Sequence, residues 1–195
     1  RRNDGRQFTR IMKLKNYFAV LLFGMAIGCS PSTEGPALEK LPYFDLKSFI
    51  NLELSEIEGD SVLKTSEVNG EEQVVELVYS SEDWKEELAA FYEADINVPS
   101  LATAYSTRTT PDQLIHELLP EAKGKVKELS IRYVQNYPSW VTFKIKDENL
   151  FYTTTTLGEL FMNQATGKID QYKLETTQKV LFLSPTHIKI SGFIH

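Results

Sequence analysis

The spacing of apolar residues predicts two amphipathic helices in the first half of the chain. The first begins after Asp45, a good N-cap residue, and ends at Gly59. The second begins at Ser80 or Ser81 and ends near Ala94. In both segments the apolar residues recur on one helix face, which we interpret as a core-facing stripe. These residues are Leu46, Phe49, Ile50, Leu54 and Ile57 in the first helix, and Trp84, Leu88 and Phe91 in the second.

Alternating apolar and polar residues predict strands through the rest of the chain. Residues 62–68 and 73–78 flank Asn69-Gly70, the dipeptide that best suits a two-residue hairpin turn. The alternation resumes at Val126, with turns predicted at 147–149 and 163–167. A strand is predicted to reach 180–183, and a last strand contains Ile188 and Ile190.

The segment 101–125 supports two interpretations. Thr110-Pro111-Asp112-Gln113 has the form of a helix start, with a capping residue, proline at the first helical position and glutamine two residues later. Only about eight residues remain before Pro120, however, so a short strand over 114–118 fits equally well.

Together these elements predict an α+β fold in one domain that spans residues 42–195. We expect a curved antiparallel β-meander of about eight strands, packed with the two amphipathic helices. The composition agrees with a globular domain, since 42% of residues are hydrophobic and 25% are charged.

The amino end has the pattern of a secretory signal peptide. The first methionine is Met12, and Lys13 and Lys15 precede an apolar run of 11 residues over 17–27. This run is shorter than the roughly 20 residues that span a bilayer as a helix. We therefore interpret residues 1–11 as an upstream extension and residues 12–28 as the signal peptide.

Ala26-Ile27-Gly28-Cys29 resembles the lipobox of bacterial lipoproteins, although leucine is more usual where Ala26 stands. The resemblance implies that signal peptidase II cleaves before Cys29, the only cysteine of the chain, and that Cys29 carries acyl chains such as palmitate. Residues 29–41, which are small, polar and rich in proline and glycine, then form a lipidated tether. No dense acidic run follows the cysteine, so we expect a membrane-anchored position that faces the periplasm.

The balance of basic and acidic residues limits the kinds of partner that the sequence predicts. The chain has 21 basic and 27 acidic residues, and the part from Cys29 onward keeps 15 basic and 26 acidic ones. Residues 29–95 carry 4 basic residues against 17 acidic ones, whereas 96–195 carry 11 against 9. This excess of acidic residues argues against nucleic-acid binding, which needs clustered lysine and arginine. We expect a monomer whose membrane attachment depends on the acyl chains.

Motifs for catalysis, cofactors and metals do not appear in the sequence. The three histidines, His116, His187 and His195, form no paired metal-binding motif, and neither Gly124-Lys125 nor Gly167-Lys168 belongs to a phosphate loop. We predict no cofactor and no metal site. A hydrolase with a site of scattered residues remains the alternative to a non-catalytic protein.

Aromatic residues are concentrated between positions 133 and 152. Tyr133, Tyr137, Trp140 and Tyr152 are the candidate ligand or partner surface, because tyrosine and tryptophan combine large contact area with a polar tip. The alternative is that they only pack the helices onto the sheet. We interpret the protein as a binding or accessory module for a hydrophobic or peptide-like ligand or a protein partner. Its plan resembles that of lipoprotein-carrier proteins, and Asp95-Ile96-Asn97-Val98-Pro99 followed by a long β-meander loosely resembles uncharacterised small lipoproteins of Bacteroidota.

Overall fold

The structure, a computed structural model, describes residues 41–195, which belong to one compact unit. The upstream extension, the signal peptide with its cleavage flank, Cys29 and all but the last residue of the tether lie outside the described residues. Among residues 41–195, no helix is long and apolar enough to span a membrane.

Within residues 41–195, nine strands form one open antiparallel sheet, in the order β2-β1-β9-β8-β7-β6-β5-β4-β3. Strands β3 to β9 follow one another as a meander, and the β1–β2 hairpin joins the sheet beside β9. The prediction of an antiparallel meander in an α+β fold is therefore confirmed, although residues 41–195 form nine strands where about eight were expected, and three short helices where two were expected. The elements are α1 (Leu46–Ile57), β1 (Ser61–Val68), β2 (Glu71–Val78), α2 (Ser81–Glu87), α3 (Ala89–Glu93), β3 (Tyr105–Thr109), β4 (Gln113–Leu118), β5 (Val126–Val134), β6 (Tyr137–Glu148), β7 (Tyr152–Met162), β8 (Ile169–Val180) and β9 (Thr186–Ile194), with a 3₁₀ turn over Pro99–Leu101.

Local signals place the helices where the sequence predicts them. The Asp45 carboxylate accepts a hydrogen bond from the Ser48 N–H at 3.0 Å, which caps α1. Ser80 and Asp83 form a reciprocal capping box at the start of α2. The single helix predicted over 80–94 is divided into α2 and α3 at Leu88, where φ is −96° and ψ is 19°. Leu88 itself is buried, so the division does not remove it from the core.

The strand interpretation of 114–118 is confirmed, whereas one other connection differs from its prediction. Residues 113–118 form strand β4, so the helical interpretation of Thr110–Gln113 is wrong; that segment is a hairpin turn in which the Thr110 N–H donates to the Gln113 carbonyl at 2.8 Å. Residues 181–183, predicted as part of a strand, instead form the turn between β8 and β9. The apolar run misleads here because its side chains are exposed, whereas the strand interpretation assumes burial.

The core lies on one face of the sheet, between the strands and the helices. Because neighbouring positions in a strand point to opposite faces, one set of alternate residues packs against the helices. This set includes Leu129, Ile131, Val141, Phe143, Leu160 and Tyr172, and it forms one buried cluster with Leu46, Ile50, Leu54, Trp84 and Phe91. The other face, which includes Arg132, Trp140, Phe161 and Lys173, is called the open face below.

Candidate functional site

The open face carries a row of aromatic rings flanked by cations. Trp140 lies directly opposite Arg132 on one side and Phe161 on the other, so their side chains meet on the same face. The rings of Trp140 and Phe161 stack with centroids 5.7 Å apart and planes 12° apart. The Arg132 guanidinium lies 4.8 Å from the Trp140 centroid, and the Lys173 ammonium lies 5.2 Å from the Phe161 centroid. We call Arg132, Trp140, Phe161 and Lys173 the aromatic row.

This arrangement provides flat apolar area with cations at both ends. Each cation–π contact contributes about 0.5–1 kcal/mol at an exposed site, so the contacts hold the rings in place without burying them fully. The Trp140 Nε1 atom is shielded and has no hydrogen-bond acceptor among the described residues. A rigid aromatic surface beside arginine and lysine is suited to contact with a peptide or protein.

A depression of about 290 Å³ lies beside the aromatic row and shares Lys173 with it. Its wall combines the apolar side chain of Leu157 with both signs of charge and with small hydroxyl residues. The lining residues include Thr65, Glu67, Glu159, Glu175, Lys189 and Ser191. Lys189 lies 3.5 Å from Glu67, an exposed ion pair that contributes little to stability. The charges therefore remain available to polar groups of a ligand.

The four aromatic residues predicted as a surface do not lie together. Trp140 is on the open face, whereas Tyr133 packs against the core on the opposite face. Tyr137 is exposed at the start of β6, and Tyr152 begins β7 at the other end of the sheet, about 40 Å away along the strands. The strand register that brings Phe161 and Lys173 beside Trp140 has no local signal in the sequence.

A second polar cluster lies between α2 and the sheet. The Glu87 carboxylate accepts hydrogen bonds from the Lys64 ammonium at 2.5 Å, from the Tyr172 hydroxyl at 2.7 Å and from the Tyr79 hydroxyl at 3.2 Å. Burial raises the pKa of Tyr172, and the Glu87 charge raises it further. Burial alone lowers the pKa of Lys64, but the hydrogen bond and charge of Glu87 outweigh it and raise the pKa overall.

These four residues, called the Glu87 cluster below, are suited to stabilising the fold: Glu87, Lys64, Tyr79 and Tyr172. Glycosidase-type acid–base catalysis uses two carboxylates that face each other, whereas Glu87 faces one ammonium and two phenols. The carboxylates whose pKa burial raises, Glu53 and Asp95, lie on α1 and after α3 respectively. No observation of the described residues therefore favours a hydrolase site.

His116 is the one histidine that the fold buries among the described residues. Its Nε2 atom accepts a hydrogen bond from the Phe44 N–H at 3.2 Å, and its Nδ1 atom lies 2.9 Å from the Thr107 hydroxyl. Burial lowers the pKa of the imidazole, and the bond to Nε2 requires the neutral ring. Both nitrogens are thus committed to structure. Within residues 41–195, no group of three or more potential metal ligands comes together.

Comparison with known proteins finds no match: no family model, no curated protein and no solved structure matches the chain.

Proposed function

We propose that this chain is a lipid-anchored envelope protein whose open face binds a peptide-like ligand or a protein partner without catalysis. The observation that carries the proposal is the aromatic row, in which two stacked, half-buried rings lie between an arginine and a lysine on the open face. Aromatic residues and arginine are enriched in protein interfaces and account for much of their binding energy.

The depression beside the row favours a peptide-like ligand over a purely apolar one. Its wall carries Glu159 and Glu175 beside Lys173 and Lys189, so it offers partners to both the N–H and C=O groups of a polypeptide. A curved sheet, as the sequence predicts, would present this face as a continuous surface for an extended segment. An isolated hydrocarbon ligand would leave these charges without partners.

The anchor in this proposal is Cys29, with Ala26, Ile27 and Gly28 as the cleavage flank. Several acyl chains on one cysteine bind a membrane far more firmly than a single chain, at about 0.8 kcal/mol per buried methylene. We expect the anchored protein to face the periplasm. Expressed from Met12, it should partition with membranes, and Cys29→Ser should block both acylation and cleavage. Cleavage at the same bond in the Cys29→Ser form would contradict the lipobox.

The binding role is tested on the unanchored chain, residues 30–195, purified gently from the envelope of its own host or a related bacterium. A native mass spectrum should show a discrete added mass that disappears on denaturation. Lys173→Glu and Arg132→Glu should reduce the occupied fraction at least several-fold, because each reverses a charge at one end of the aromatic row.

Lys85→Glu is the matched control, since Lys85 is an exposed lysine on α2, away from the open face. This variant should keep the occupancy of the wild-type chain. Equal losses in Lys85→Glu and Lys173→Glu would show that net charge, not the aromatic row, governs binding. A bare polypeptide mass for the wild-type chain would contradict a tightly bound ligand.

A further inference from the structure

Two neighbouring turns at one end of the sheet expose five large apolar side chains. Leu150 and Phe151, in the β6–β7 turn, are 88% and 67% exposed; Leu181, Phe182 and Leu183, in the β8–β9 turn, are 51%, 95% and 65% exposed. The turns touch, since the Leu181 N–H donates to the Phe151 carbonyl at 2.8 Å. We call these five residues the tip patch. Contiguous exposed apolar surface of this kind marks an interaction site.

The backbone of both turns holds these side chains outward. The Asn149 side-chain oxygen accepts hydrogen bonds from the N–H groups of Phe151 and Tyr152 at 2.7 and 3.1 Å, which fixes the first turn. In the second turn, the Leu183 N–H donates to the Val180 carbonyl at 3.1 Å. Phe182 has φ of +66°, a conformation that aromatic residues rarely adopt. Strain of this sort is retained where it has a use.

Charge around the tip patch is balanced, although the chain as a whole has a net charge of −6. Asp147 pairs with Lys125 at 2.9 Å, and Glu148 pairs with Lys146 at 2.6 Å. Lys179, exposed at the end of β8, has no ion pair among the described residues. The β1–β2 hairpin turns at this same end of the sheet, where Glu67 lines a depression with Ser184 and Pro185 of the β8–β9 turn and pairs with Lys189 at 3.5 Å. Three carboxylates near the two turns are therefore each paired with a lysine: Asp147, Glu148 and Glu67.

The first residues that the structure describes lie near the same end of the sheet as the tip patch. In an antiparallel meander the starts of β3, β5, β7 and β9 share one end, and the tip patch precedes β7 and β9 there. The Tyr43 hydroxyl accepts a hydrogen bond from the N–H of Tyr105, the first residue of β3, at 3.2 Å. Residues preceding Tyr43 therefore join the domain near this end.

The segment between Cys29 and Tyr43 is long enough to bring the tip patch to a membrane. Its 13 residues reach up to about 45 Å when extended. From β3 to β8 the sheet measures about 24 Å across, at roughly 4.8 Å per strand. A lipid anchor at Cys29 therefore allows the tip patch to meet the bilayer that holds the anchor.

We propose that the tip patch inserts into the lipid surface to which Cys29 is anchored, so that the strands stand end-on to the membrane. This inference rests on the lipid anchor of the proposed function. Insertion transfers the five apolar side chains from water to the acyl boundary, while the neighbouring lysines contact anionic headgroups. Tyr152, whose hydroxyl lies 3.4 Å from Asp147, then takes the interfacial depth at which tyrosine is enriched. The open face remains accessible at the side.

The test places a tryptophan at the tip patch of the full chain, reconstituted in vesicles of brominated phosphatidylcholine and phosphatidylglycerol. Phe182→Trp should show a blue-shifted difference emission, relative to the wild-type chain, that brominated acyl chains quench. Phe193→Trp is the matched control, because Phe193 is also an exposed phenylalanine, 52% exposed, but lies near the opposite end of the sheet. Its difference emission should stay red-shifted and unquenched.

Two results would overturn the proposal. An unquenched Phe182→Trp chain on vesicles would mean that the tip patch faces a protein partner or solvent, and equal quenching at both positions would mean that the sheet lies flat. The mass of the Cys29 peptide reports acylation separately. A chain that is not cleaved keeps the apolar run 17–27, which should still hold it on the vesicle. The mass of the Cys29 peptide therefore reports failure of the lipid anchor, and quenching at position 182 reports failure of tip insertion.

Discussion

Gly192→Ala is expected to destabilise the domain strongly, because the Glu87 cluster leaves no space for a side chain at position 192. Gly192 pairs with Lys64 on one side and with Tyr172 on the other. A Cβ atom at this position would lie 2.2 Å from Cε1 and 2.5 Å from Cζ of the Tyr172 ring. The ring is fully buried, packs edge-on against Trp84 and donates its hydroxyl hydrogen to Glu87 at 2.7 Å.

The cost follows from the distance that the ring must move. Ordinary contact begins at 3.4 Å, so the ring must retreat by about 1.2 Å. Overpacking of this kind costs about 1–3 kcal/mol, and loss of the hydrogen bond to charged Glu87 costs about 1.5–3 kcal/mol. Replacing glycine in a strand returns about 0.5–1 kcal/mol. We expect the free energy of unfolding to fall by about 2–5 kcal/mol, out of a typical total of about 5–15 kcal/mol.

Urea unfolding followed by tryptophan fluorescence measures this effect, since Trp84 lies beside Tyr172. Gly167→Ala is the control: Gly167 has φ of +76° with no atom near a Cβ, so backbone strain alone should cost about 1–2 kcal/mol. In a Tyr172→Leu background, Gly192→Ala should cost less than half of its wild-type value. A cost below about 1 kcal/mol in the wild-type background, or an equal cost in both backgrounds, would refute this reasoning.

Three further predictions concern other anchors of the fold. Burial lowers the pKa of His116 below its ordinary 6.5, so as the pH falls the unfolded chain takes up a proton before the folded chain does. The free energy of unfolding should therefore fall as the pH drops below about 6.5. Between pH 7.5 and 5.5, His116→Gln should lose less of this free energy than the wild type does. Ser80→Ala should cost about 1 kcal/mol in thermal or urea unfolding by removing the capping box, whereas Ser80→Thr, which keeps the hydroxyl, should stay near wild type; equal costs would contradict the cap. The Asn97 side chain accepts a hydrogen bond from the Tyr43 N–H at 3.2 Å and donates one to the Phe44 carbonyl at 2.8 Å. Asn97→Ala should therefore cost about 1–3 kcal/mol of stability and speed hydrogen exchange of the Tyr43 amide. Unchanged exchange at Tyr43 would contradict this role of Asn97.

The elements that the sequence predicts well are those with a local cause. Asp45 caps α1 through its own side chain, and Asn69-Gly70 turns with φ of 51° and 92°, as the hairpin interpretation requires. These signals act within a few residues, so a single sequence shows them. The antiparallel meander follows from the short turns between alternating segments.

The functional surface depends on register, which a single sequence does not show. Trp140 was recognisable as a candidate, but its partners Arg132, Phe161 and Lys173 lie on three other strands. The tip patch was hidden for a different reason. An apolar run at 180–183 is typical of a buried strand, and only the turn at Phe182 shows that these side chains are exposed.

The pairing of β1 with β9 determines the order in which the sheet is completed. Val62 pairs with Ile194, and the backbone groups of Ser61 and His195 exchange two hydrogen bonds at 3.1 and 2.9 Å. The meander β3–β8 assembles from neighbours in sequence, but the β1–β2 hairpin gains its place only after β9 exists. Closing so long a loop is slow compared with forming local hairpins. A chain still on the ribosome therefore keeps its first hairpin unattached, and loss of residues 186–195 would leave both β1 and β8 as bare edges open to aggregation.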